Sequence, residues 1–210
     1  MRLRKVKNAS EILNNHSDSM IFNPEDYQGK WKEEVFKNEN PLHIEIGSGK
    51  GKFIIEMAQK FPNINFVAIE KYDSVLCRAI VKVEEKIPNL YFILYDATNL
   101  KNIFGAREVD KIYLNFSDPW PKSRHENRRL TSPNFLDIYY EILANEGELI
   151  FKTDNLNLFN YSVESFQNNG YFISDITYDL ESLNAFNVRT EYEEKHIEQG
   201  EKICRLIAIK

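Results

Sequence analysis

Four carboxylates and one stiff turn are the parts of this chain best suited to chemistry. The turn is Asn115-Phe116-Ser117-Asp118-Pro119-Trp120-Pro121-Lys122, and it follows an apolar run from Val109 to Leu114 that reads as a buried strand. Open α/β sheets place ligands at the carboxyl ends of such strands. Each proline fixes its own φ and restricts the residue before it, so Asp118 is held in place. Lys122-Ser-Arg124-His-Glu-Asn-Arg128-Arg129 follows at once and is basic. A fixed carboxylate beside phosphate-seeking cations points to chemistry on a nucleic acid. An ordinary loop with a stray Trp is the bland alternative. Trp120 either stacks on a base or braces the turn, and bracing is favoured.

The other three carboxylates each close a strand: Glu45, Glu70 and Asp96. Glu45-Ile-Gly47-Ser-Gly49-Lys-Gly51 lies between the first strand and its helix, where glycine lets a ligand approach the backbone. A phosphate-binding P-loop needs a glycine, four intervening residues, Gly-Lys, then Ser or Thr. Ile44 or Ile46 stands at the first place, and Gly51 or Phe53 at the last. A dinucleotide fingerprint needs glycine three places after Gly49, where Lys52 stands. What remains, Glu-x-Gly-x-Gly-x-Gly with an acidic residue at the end of the second strand, resembles the S-adenosylmethionine-dependent methyltransferases of the Rossmann-like class, whose cofactor carries no phosphate. A sulfonium and an amino group favour an acidic neighbour such as Glu45. A ribose diol suits Glu70, and an adenine amine suits Asp96. Taken singly, each carboxylate could be only a cap or loop residue.

The elements that must position these groups alternate. Strands are expected at Leu42–Ile46, Phe66–Ile69, Tyr91–Tyr95, Val109–Phe116 and Glu148–Lys152. Helices are expected at Phe53–Phe61, Asp73–Ile87, Ser132–Leu143 and Leu156–Asn169, with a shorter amphipathic one at Pro24–Phe36. Ser132-Pro133 is a helix start, a hydroxyl followed by proline at the first helical position. Late strands at Tyr171–Tyr178 and Lys202–Ile209 are expected to pair near one edge. The alternation predicts an α/β fold: a mostly parallel seven-stranded sheet, helices on both faces and an antiparallel edge.

With 210 residues and 42% hydrophobic content, one domain with an ample core is the simplest reading. Residues 1–23 read as a flexible basic arm and residues 24–210 as the domain. Net charge is −5, but residues 1–7 carry +4 and residues 122–129 carry +3, leaving −12 for the rest. An acidic body with two basic segments suits a polyanion held at chosen points. Cys77 and Cys204 read as reduced thiols, and no export signal or membrane-length apolar run is visible, so a cytoplasmic protein is expected. The four histidines show no metal-ligand spacing, and no metal is expected.

With the turn added to the glycine loop, the chain resembles the bacterial tRNA (guanine-N(7)-)-methyltransferases, which have a Rossmann-like fold and use S-adenosyl-L-methionine. The resemblance covers nearly the whole chain. It includes His125-x-x-Arg128-Arg129-Leu130, Lys152-Thr-Asp154 and Thr190-Glu191-Tyr192-Glu193. It implies transfer of a methyl group to N7 of a guanosine in the tRNA variable loop. By resemblance, Glu45, Gly47, Gly49, Glu70, Asp96 and Asp118 meet the cofactor, and Asp118 is the catalytic residue. Lys122, Asp154, Thr190, Glu191, Tyr192 and Glu193 meet the tRNA, joined by Arg124, Arg128 and Arg129 of the basic segment. A monomer or homodimer is expected. Two rivals stand beside this reading: a methyltransferase of small molecules or proteins, which needs no basic segments, and a non-catalytic RNA-binding module, which needs no acidic strand ends.

Overall fold

A computed structural model describes residues 6–210. Seven strands form one sheet: β1 (Leu42–Ile46), β2 (Asn65–Glu70), β3 (Leu90–Leu94), β4 (Val109–Asn115), β5 (Leu143–Thr153), β6 (Phe172–Thr177) and β7 (Cys204–Ile209). Their order is β3-β2-β1-β4-β5-β7-β6. The pairs from β3 through β5 are parallel, and β7 runs antiparallel to both β5 and β6. This is the expected mostly parallel sheet with an antiparallel edge.

Alternate residues of each strand face opposite sides, and the two sides carry separate cores. One joins Ile44, Val67, Ile112, Leu149 and Phe151 to helices α4 (Pro133–Ile142) and α5 (Leu156–Asn168). The other joins Phe66, Ala68, Phe92 and Tyr113 to α1 (Ala9–Asn15), α2 (Lys52–Lys60) and α3 (Asp73–Ile80). Helix α2 buries Phe53, Ile54, Met57 and Ala58, at i, i+1, i+4 and i+5. At its start Gly51 has φ 79°, and a Cβ there would lie 2.8 Å from the Ala79 Cβ. Glycine therefore lets the loop after β1 pack directly on α3.

Several elements differ from the sequence expectation. Residues 1–5, with Arg2, Arg4 and Lys5, lie outside the described part. The remainder of the expected arm is packed. Ala9 and Leu13 of α1 are buried against α3, and the Ile21 amide donates to the Phe92 carbonyl at the sheet edge (3.0 Å). Three apolar residues, Ala9, Leu13 and Met20, outweigh the polar composition.

The Pro24–Phe36 helix is instead two short turns, Pro24–Tyr27 and Trp31–Phe36, separated by Gly29 at φ 75°. Tertiary contacts overrule helical periodicity there. Trp31 is fully buried and donates Nε1–H to the Ile103 carbonyl (2.6 Å), while Glu108 accepts from the Gly29 and Trp31 amides. Helix α3 ends at Ile80 rather than Ile87, and the Val83 amide turns back onto the Ile80 carbonyl. Strand β5 begins five residues earlier than Glu148, at Leu143. Glu146 (φ 61°) and Gly147 make an irregularity inside it, matched by a register shift in the β4 pairing.

Candidate active site at the carboxyl edge of the sheet

The glycine loop folds back over the end of β2. The Gly47 and Ser48 amides both donate to the Ile69 carbonyl (2.9 and 3.0 Å). Glu70 ties this loop to the start of α3. Its Oε2 accepts from the Gly49 amide (3.1 Å), and its Oε1 accepts from the amides of Lys71 (2.9 Å) and Tyr72 (3.0 Å). Burial nevertheless raises its pKa, against those three backbone bonds, and the charge of nearby Asp118 adds to the rise.

Asp96 uses Oδ1 to cap the short helix Ala97–Asn102, through the Thr98 amide and hydroxyl. Its Oδ2 accepts from Lys71 Nζ at 2.6 Å. Partial burial pushes its pKa up, but the bonds from Lys71 and Thr98 prevail and the net shift is downward.

Glu45 is the unusual member. It is 1% exposed, and its single hydrogen bond is to Oε1 from Asn115 Nδ2 (2.8 Å). Burial raises its pKa to about 8. Its Oε2 has no partner, and neither do Ser48 Oγ, Asn115 Oδ1 or Ser117 Oγ. Buried polar atoms are normally satisfied. Four orphaned atoms around one strand edge are what a removed polar ligand would leave. A Cβ on Gly47 would meet nothing within 4 Å, so the space above the loop is open. These donors and acceptors fit the amino acid and sulfonium end of S-adenosylmethionine, and the Glu70 and Asp96 carboxylates lie along the same edge of the sheet.

Asp118 is exposed and follows the end of β4. The turn that carries it is strained as well as proline-bound: Phe116 has φ 52° and Trp120 has φ 41°. Such backbone persists where surroundings over-determine it, often at functional sites. Lys122, Arg124 and Arg128 are exposed. Arg128 lies over the Trp120 ring (5.0 Å), and His125 meets the same ring edge-on. Arg129 turns inward, donating to the carbonyls of Pro119 (3.1 Å) and Trp120 (3.2 Å).

A second group closes the edge from the side of α6 (Glu191–Glu198). Tyr192 packs on Phe116 (5.1 Å between ring centroids), stacks on His196 (4.0 Å) and donates its hydroxyl to Asp154 (3.3 Å). Thr190 caps α6 reciprocally with Glu193: its hydroxyl accepts from the Glu193 amide, and its own amide donates to Glu193 Oε2. The Glu193 carboxylate is buried and accepts from Lys152 Nζ. Of the four residues expected to meet RNA here, Thr190 and Glu193 thus build the helix start. Tyr192 is exposed, and Glu191 is half-buried and paired with Lys82. This acidic segment is the start of a capped helix. Helix α5 is capped by Asn155, whose side chain accepts from the Leu158 amide, and not by the neighbouring Asp154. Asp154, His196 and Glu201 bring donor atoms within 4.8 Å of one another. They already pair among themselves.

Asn115 and Lys152 stand inside the sequence motifs without a role given to either, and sequence reasoning missed Asn187 altogether. Lys152 Nζ donates to Asn187 Oδ1, the Val188 carbonyl and Glu193, and it lies 5.2 Å from the Phe53 ring centre. One signal was available: a lysine near the carboxyl end of β5, directly after its apolar run, must find an anion if it is buried. Beside it, under Phe186, is a largely apolar cavity of about 280 Å³ between α2 and strands β1, β4 and β5. No helix among the described residues is long and apolar enough to cross a membrane.

A family model described as "Putative methyltransferase" matches residues 39–206. A tRNA (guanine-N(7)-)-methyltransferase of Lachnoclostridium phytofermentans is 49% identical over 213 residues, covering 100% of this chain and 99% of that protein. One from Streptococcus pyogenes is 50% identical over 210 residues, covering 99% of each. Among solved structures, an antibiotic-related methyltransferase has a TM-score of 0.64 at 18% identity, over 89% of this chain and 93% of that one. Aeropyrum pernix fibrillarin, solved with natively bound S-adenosyl-L-methionine, has a TM-score of 0.56 at 14% identity, over 81% of this chain and 66% of that one. At these identities the structures share the fold.

Proposed function

This chain belongs to the bacterial tRNA (guanine-N(7)-)-methyltransferase family, and from that premise we propose how its residues divide the work. The enzyme methylates N7 of guanosine in tRNA, and the variable loop is the site we assign. The supporting observation is the set of orphaned buried atoms around Glu45, beside the open glycine loop and the Glu70 and Asp96 carboxylates. Glu45, Gly47, Gly49, Glu70 and Asp96 hold S-adenosylmethionine, and Asp118 faces the methyl group. When bound, that cofactor supplies an electrophilic methyl group on a sulfonium.

The chain's own groups have little acid–base work to do. N7 of guanine carries an in-plane lone pair and no proton. That pair forms the new N–C bond, and the S–C bond pair leaves with sulfur. Positive charge therefore moves to the purine. Catalysis reduces to alignment and to stabilising that charge. Asp118, on its stiff turn, accepts hydrogen bonds from the guanine edge and offsets the charge. Glu45 keeps an acceptor next to the amino acid end of the cofactor. Tyr192 and Phe116 wall the edge and exclude water. Lys122, Arg124 and Arg128 engage phosphates, and Asp154 and Glu191 line the approach.

Incubating unmodified tRNA with methyl-labelled S-adenosylmethionine, then digesting to nucleosides and mapping the position, tests this. Label in 7-methylguanosine of the variable loop is expected. Label at another atom or in another loop would refute the assignment.

A further inference from the structure

The prolines do not hold the Asp118 turn alone. Phe116 and Trp120 both occupy the left-handed region, which is disfavoured for any residue with a side chain. Relaxation of either would swing the chain between them. Arg129 prevents this from ten residues away. Its Nε donates to the Pro119 carbonyl (3.1 Å) and its Nη2 to the Trp120 carbonyl (3.2 Å). The guanidinium lies over the Tyr161 ring of α5 (4.2 Å), which supplies a floor. Its neighbour Arg128 takes the outer side of the same turn, over the indole. The two arginines of one dipeptide thus grip opposite sides of one turn.

We propose that Arg129 is a positioning residue: it locks the left-handed Trp120 backbone and so aims Asp118, and it is not a phosphate ligand. The proposal rests on Asp118 working at the transferred methyl. Two adjacent carbonyls call for arginine's rigid fork; a lysine ammonium on a flexible stem cannot span them in the same way. The side-on fork of the guanidinium, Nε with Nη2, is committed to these carbonyls, and one face of it to Tyr161.

The test compares Arg129→Ala and Arg129→Lys with the unaltered enzyme, after circular dichroism shows both folded. Trp120 supplies a readout independent of activity. The chain has two tryptophans, and Trp31 is fully buried, so acrylamide quenching reports on Trp120. Both variants should show altered quenching and a turnover lower by about tenfold or more, the scale of a misplaced catalytic group. The slope of log K against log salt for tRNA binding should stay unchanged. In Arg124→Ala it should fall by roughly 0.7 to 0.9, one phosphate contact. Added guanidinium ion should partly restore turnover to Arg129→Ala. Unaltered quenching, normal turnover, or a salt slope reduced by one contact would each overturn the proposal. Should Arg129→Ala not fold, Arg129→Lys and Tyr161→Leu carry the same measurements. Altered quenching in a chain that methylates no RNA even when unaltered would refute the role given to Asp118.

Discussion

Lys152 Nζ and Glu193 Oε2 meet at 2.7 Å with side chains 3% and 0% exposed, joining the carboxyl end of β5 to the first turn of α6. Asn187 bridges them, accepting from Lys152 and donating to Glu193 Oε1. Burial draws the lysine's pKa down and the Glu193 carboxylate opposes that fall. Removing one partner leaves a buried charge alone, which typically costs about 3–5 kcal/mol. Lys152→Met should therefore lower stability by about that much in denaturant unfolding, and Lys152→Met with Glu193→Leu should recover most of it. A single variant within about 1 kcal/mol of the unaltered protein would show that the pair is not the anchor of α6.

Glu45 gives a pH signature. Its pKa is about 8 in the folded chain against 4.5 for an ordinary glutamate. Between those values the folded state holds a proton that the unfolded chain has lost. Stability therefore falls as pH rises from 4.5 to about 8, and levels off above. Glu45→Gln is permanently neutral and should flatten that part of the profile. Identical slopes in chemical unfolding across the window would remove the assignment. A cationic ligand favours the ionised carboxylate, so S-adenosylmethionine should release a proton on binding near neutrality. Calorimetry in two buffers of different ionisation heat would detect it.

Glu70 is the acceptor assigned to the ribose. Glu70→Ala should weaken S-adenosylmethionine binding by about tenfold or more, the scale of a lost charge-assisted pair of hydrogen bonds. It also frees the Gly49, Lys71 and Tyr72 amides, so some loss of melting temperature should accompany it. An unchanged dissociation constant would place the ribose elsewhere.

Asp118→Asn keeps the shape of the side chain and one acceptor but loses the charge. Turnover should drop by roughly 10², about 2.7 kcal/mol of transition-state stabilisation. Cofactor affinity and melting temperature should change much less, because Asp118 is exposed. Turnover close to normal would leave alignment by the turn as its main contribution.

The alternation of apolar runs with amphipathic segments was enough to specify the sheet, because buried parallel strands and their crossover helices must read that way. The positions of the acidic strand ends and of the proline-bound Asp118 turn were legible because carboxylates and prolines interrupt apolar strands; that Asp96 also caps a helix and that Glu70 ties three loop amides was not. Local pattern could not show which polar groups remain without partners. That depends on Asn115 of β4 reaching Glu45 of β1, a contact made by sheet pairing across 70 residues. Nor could it show that Arg129 faces inward while Arg128 faces out, or that Glu193 ends buried against Lys152. Charge along a chain is a property of composition. Whether a given charge meets solvent, a carbonyl or a counter-charge is decided only when distant elements pack, since the cost of burying it is met by partners far away in sequence.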